Sequence, residues 1–121
     1  MIHLVFCLRR ASHLSRESFQ RYWSETHAPL VRRHASALGI RRYVQAHTIA
    51  HSIAAAARSA RGAPPEYDGV AELWFDEDEL ARRGASTETV EAARALLEDE
   101  ARFIDLAQSP IFLTRENVVI G

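Results

Sequence analysis

The sequence predicts an α+β fold in one domain spanning residues 1–121: a ferredoxin-like sandwich with a four-stranded antiparallel sheet and helices on one face. Three observations carry that expectation. Apolar residues alternate with period two in four short stretches, near residues 2–9, 40–51, 67–75 and 110–120. Two longer stretches, about residues 15–38 and 88–107, repeat their apolar positions every three or four residues. The resulting order is β-α-β-β-α-α-β, one split βαβ unit after another. With 121 residues, 47% of them hydrophobic and 26% charged, the composition is that of an ordinary globular domain and leaves no room for a second catalytic one.

In the first strand Ile2, Leu4, Phe6 and Leu8 fall on one side, and His3, Val5, Cys7 and Arg9 on the other. Apolar residues on both sides mean that both are covered. The first helix is announced by Ser15, which caps the free amides, and by Leu14, which staples onto Phe19; Gly39 ends it. On a helical wheel Phe19, Leu30, Trp23, His34 and His27 fall within about 80°, so His27 lies at the edge of the buried stripe. Pro29 lacks an amide and leaves the carbonyl of Glu25 without its usual partner, which predicts a kink that aims His27 into a cleft.

The second strand, residues 40–51, puts Tyr43, Gln45, His47, Ile49 and His51 on one face. Residues 52–65 contain four consecutive alanines and then Gly62, Pro64 and Pro65, a pattern that fits a short helical turn and a mobile loop equally. The third strand, residues 67–75, faces Val70, Glu72 and Trp74 away from Ala71, Leu73 and Phe75. Asp76 caps a short helix whose capping box Glu79 completes. The long helix over residues 88–107 is expected to bury Ala93, Leu97, Ala101 and Ile104, with Asp105 near its end. Residues 110–120 form the last strand or a pair of short strands.

A sheet with helices on only one face leaves its other apolar face open. The simplest cover is a second copy, so a homodimer is expected, with the tail from Phe112 to Ile120 lying across the partner. Net charge is −1 with both signs interspersed, which gives no footprint for nucleic acid. The doublets Arg32-Arg33 and Arg41-Arg42 read as solvated surface. No apolar run reaches the roughly 18 residues that a membrane span needs. The apolar opening has no positive region ahead of it and reads as a strand, not an export signal, so a cytoplasmic location is expected. Cys7 stands alone, which excludes an intrachain disulfide and a cysteine-based metal site. With no HExxH pattern and no Gly-rich phosphate loop, neither a metal nor a nucleotide cofactor is expected.

His27 is the leading candidate for catalysis, because an imidazole gives and takes protons near neutral pH. The same placement also fits a half-buried histidine that only packs. Glu72, a carboxylate in an apolar strand, fits a structural pair with His3 or an arginine, and alternatively a role in orienting a substrate. Asp105, a candidate substrate contact, lies where negative charge opposes the helix dipole, which slightly favours a specific partner such as an arginine or His27; the same position also fits a carboxylate that only faces solvent. Phe19, Trp23, Trp74 and Phe103 are candidate walls of a site for a small hydrophobic or aromatic ligand, and His47 shares the face of Tyr43.

The chain resembles the EthD-like family of the dimeric α+β barrel superfamily. The resemblance is carried by LSRESFQRYWSETHAPLVRRH (Leu14 to His34), IRRYVQ (Ile40 to Gln45), DGVAELWFD (Asp68 to Asp76), DEARFID (Asp99 to Asp105) and FLTRENVVI (Phe112 to Ile120). It implies a dimeric α+β barrel with a pocket between helices and sheet, in which His27 corresponds to the family histidine and Trp23 and Tyr43 are its neighbours. The activity implied is that of a cofactor-independent cyclase, isomerase or decarboxylase, with His27 moving the proton while Tyr43 or the polar edge of Trp23 steadies a developing enolate. The alternative implied is a non-enzymatic binding or accessory protein of a monooxygenase or degradation pathway.

Overall fold

Four strands, β1 (Ile2–Leu8), β2 (Ile40–His47), β3 (Gly69–Phe75) and β4 (Ile111–Thr114), form one sheet in the computed structural model, which describes residues 1–121. Their order is β2-β3-β1-β4 with every neighbour antiparallel, the ferredoxin-like arrangement. The helical segments are α1 (Arg16–Tyr22), a π-turn (Trp23–His27), α2 (Ala28–Leu38), α3 (Ser52–Arg61), α4 (Glu77–Arg83) and α5 (Thr87–Phe103). No helix is long and apolar enough to cross a membrane.

Register separates the two sheet faces. Across β1, β3 and β2, Leu4 aligns with Leu73 and Tyr43, and Phe6 with Ala71 and Gln45, on the face that the helices cover. Val5, Glu72 and Val44 align on the opposite face, as do His3, Trp74 and Arg42. The core joins Phe6, Leu8 and Ala71 of the sheet to Phe19, Trp23 and Phe103 of the helical layer. Trp23 lies so close over β3 that a Cβ at Gly69 would stand 2.5 Å from Cζ3 of the indole, which is why no side chain fits there. The start of β3 is pinned by Asp68, whose buried carboxylate accepts from the Arg10 amide (2.9 Å), the Arg10 guanidinium (2.6 Å) and Arg16 (3.0 Å).

Several boundaries differ from the sequence expectation. The helix over residues 15–38 is interrupted by a π-turn, in which the Ala28 amide bonds the carbonyl of Trp23. Pro29 then falls in the first turn of α2, directly after the π-turn, where proline is best tolerated in a helix. Because a π-turn inserts an extra residue, the buried position beyond His27 is Val31, not Leu30. Strand β2 stops at His47; the chain then turns away with the Thr48 hydroxyl donating to the Tyr67 carbonyl at 2.6 Å. Residues 52–61 are a helix, capped by the His51 side chain and closed by Gly62 in the left-handed conformation. The last strand is only four residues long. In α5 the buried side chains are Ala92, Leu96, Asp99 and Phe103 in place of Ala93, Leu97 and Ala101; Ile104, just past the helix, is buried as expected, and Leu97 is exposed.

Candidate active site

A cavity of about 40 Å³ lies between the sheet and the helices, walled by Trp23, Val31, Tyr43, Leu73 and Leu96 among others. Nine of the eleven lining residues are hydrophobic, and His27 and Glu100 are the other two. Val31 and Tyr43 also line a larger outer hollow of about 230 Å³, bordered by Arg32, Arg41 and Arg42.

The π-turn presents His27 to this cavity, and α5 holds it there. Nδ1 of His27 lies 2.7 Å from Oδ2 of Asp99, with both side chains almost fully buried. The other Asp99 oxygen accepts from the Tyr22 hydroxyl at 2.6 Å and from Arg102 at 3.0 Å. Burial pushes the Asp99 carboxyl up, but the hydrogen bonds from Tyr22, His27 and Arg102 outweigh it and hold the group below its ordinary range, so it is ionised. For His27 burial wins: it lowers the imidazole below 6.5, and the bond and charge of Asp99 restore only part of that shift. The neutral ring therefore carries its proton on Nδ1, donated to the Asp99 carboxylate. Nε2 keeps a free lone pair with no protein partner, which is the arrangement of a base. The Phe103 ring, 5.0 Å from that of His27, packs the imidazole in place.

Tyr43 contributes a donor. Its oxygen accepts from Trp23 Nε1 at 3.2 Å and from Gln45 Nε2 at 3.0 Å, while its own O–H finds no protein acceptor. Burial raises the phenol above its usual value, so it stays protonated. Gln45 also donates to the Trp23 carbonyl at 2.9 Å, and its Oε1 meets His47 Nε2 at 2.9 Å. His47 stacks on Trp23 at 4.5 Å, outside the cavity wall. Phe19 is fully buried between Trp23 and Phe103, beneath the site.

Three sequence candidates lie elsewhere. Glu72 and Trp74 project from the opposite sheet face because side chains alternate along β3. There Oε1 of Glu72 lies 3.1 Å from His3 Nε2 without hydrogen-bond geometry, and the His3 ring stacks on Trp74 at 4.3 Å. Asp105 follows α5, its amide bonded to the Arg9 carbonyl at 2.8 Å and its carbonyl to the Ser109 hydroxyl at 2.7 Å. The aspartate that reaches His27 is Asp99. Its signal in the sequence is its spacing from Ala92, Leu96 and Phe103, a helical stripe with one charged member.

The EthD domain model matches residues 11–107, and the chain belongs to the EthD family. Among solved structures, an EthD family protein from Bacillus halodurans C-125 is 15% identical with a TM-score of 0.61, over 97% of this chain and 99% of that one. An EthD-like protein from Ralstonia eutropha JMP134 is 16% identical with a TM-score of 0.61, over 98% and 95% of the two chains. A dimeric ferredoxin-like protein of unknown function from Thermobifida fusca YX is 14% identical with a TM-score of 0.55, over 93% and 88%. At these identities the likeness is one of fold. No functionally curated protein matches the sequence.

Proposed function

We propose that the chain is a cofactor-independent enzyme of the cytoplasm that moves a proton on a small cyclic or aromatic carbon acid, as a cyclase, isomerase or decarboxylase does. The observation that supports this reading best is the buried His27–Asp99 pair, with Nε2 of the imidazole unpaired at an apolar cavity. His27 withdraws the proton from carbon. The free Tyr43 O–H donates to the oxygen on which charge develops, in a cavity walled mostly by apolar side chains where such a donor counts most. Asp99 is the positioning residue that fixes the tautomer. A cavity of about 40 Å³ holds only the reacting end of such a molecule, so the remainder lies in the outer hollow.

Small molecules retained by the gently purified protein, identified by mass spectrometry, provide the test. The expected finding is a ring-containing ketone, acid or lactone that the protein converts. Retention without turnover across such compounds favours the alternative, an accessory protein of a monooxygenase pathway.

The functional unit on this reading is a homodimer. Supporting it are Val5, Val44 and Phe112 on the sheet face that no helix covers, and Val118, Val119 and Ile120 exposed in the tail. Sedimentation at micromolar protein is expected to give twice the chain mass. A monomer under those conditions contradicts the dimer.

A further inference from the structure

Glu100 is the ionisable group in the cavity that the scheme above leaves idle. It follows Asp99 on α5 but lines the cavity, and no protein group hydrogen-bonds its carboxyl. Around it stand the imidazole of His27 from the π-turn and the phenol of Tyr43 from β2. From β1, β3 and α2 the cavity receives only apolar side chains, such as Leu8, Leu73 and Val31, so no cation faces the carboxyl.

We propose that Glu100 is the second proton carrier of this site, a neutral carboxylic acid that protonates the substrate's carbonyl oxygen while His27 takes a proton from the adjacent carbon. The proposal rests on the proton-transfer reading of His27 and extends it to the other end of the reacting unit. As the C–H bond breaks, its electron pair forms the carbon–carbon double bond, and the carbonyl π pair takes up the Glu100 proton on oxygen. The products are a neutral enol, an imidazolium and a carboxylate. Return of the proton from His27 to the α-carbon of the enol on either face, or to the γ-carbon where a second double bond is conjugated, with the enol proton going back to Glu100, restores both groups without an oxidant or reductant. Burial, first, and then the nearby charge of Asp99 raise Glu100 to about 7, so a large share of it is protonated at neutral pH while His27 is neutral. The substrate class that fits is a carbonyl compound uncharged at its reacting end, because a carboxylate there would oppose ionised Glu100 with no cation to balance it; of the three reactions above, this role fits the cyclase and the isomerase and not the decarboxylase.

Benzoate, a planar oxyanion that stays ionised from pH 6 to 9, serves as a probe of the oxygen position, because its carboxylate can accept a hydrogen bond from Glu100 only while Glu100 is neutral. If neutral Glu100 receives the oxyanion, binding measured by calorimetry is strong below about pH 7 and weakens about tenfold per pH unit above it, because each unit costs a proton uptake. In Glu100→Gln that dependence is flattened. The wild-type protein supplies a second reading: one glutamate side-chain carbon is expected to titrate near 7 by ¹³C NMR and to be missing from the variant. An unchanged pH slope in Glu100→Gln, or no glutamate titrating above the ordinary range, overturns the role of Glu100 and leaves that of His27 standing. Absence of benzoate binding at pH 6 overturns the ligand cavity itself and both roles with it.

Discussion

His27→Gln is expected to lower turnover about 10²- to 10⁴-fold, the span associated with loss of a general acid or base. That corresponds to about 3–5 kcal/mol of transition-state stabilisation. The fold is expected to survive. Glutamine retains a donor for Asp99 Oδ2, and Tyr22 and Arg102 still satisfy the other oxygen, so the stability loss stays within the roughly 1–3 kcal/mol of one buried hydrogen bond. A domain of this size has a margin of about 5–15 kcal/mol, which keeps the variant folded at assay temperature. Turnover measured beside the melting temperature separates the two effects. Undiminished turnover eliminates His27 as the proton carrier.

Trp23→Ala is expected to be the most damaging single truncation for stability, at about 3–5 kcal/mol. The indole is 1% exposed, covers Gly69, stacks on His47 and donates to Tyr43, so truncation opens a void and unties the hydroxyl that the site uses. Urea denaturation measures the loss, and a midpoint near that of the wild type contradicts the packing account.

What the sequence revealed and what it hid follow from the same periodicities. Alternation in residues 2–9 and 67–75 identified both sheet faces, because each strand carries its apolar residues at the right parity. The stripe Phe19–Trp23–His27 located the imidazole at the cavity because three residues at four-residue spacing remain in line up to the π-turn. Beyond the turn the pattern slips by one, which is why Leu30 was expected where Val31 is buried. In α5 an apolar criterion selected Ala93, Leu97 and Ala101 because the buried stripe contains Asp99. A charged residue is buried when its partners arrive from elsewhere in the chain, here Tyr22 and His27, and no local pattern announces them. Glu100 has no such partner; what places it at the site is a cavity walled by residues of β1, β2, β3, the π-turn and α2, which no local pattern announces either. Glu72 and Trp74 were drawn toward the site by residue type, although their parity already placed them on the other face.

The central claim is that Asp99 holds His27 as a neutral base with Nε2 free toward the cavity. ¹⁵N NMR of the imidazole across pH 4–8 tests it without a substrate. The account predicts a proton on Nδ1, an unprotonated Nε2 and a titration midpoint below 6.5, with the tautomer preference weakened in Asp99→Asn. A proton on Nε2 in the neutral ring, or a midpoint at or above 6.5, contradicts it.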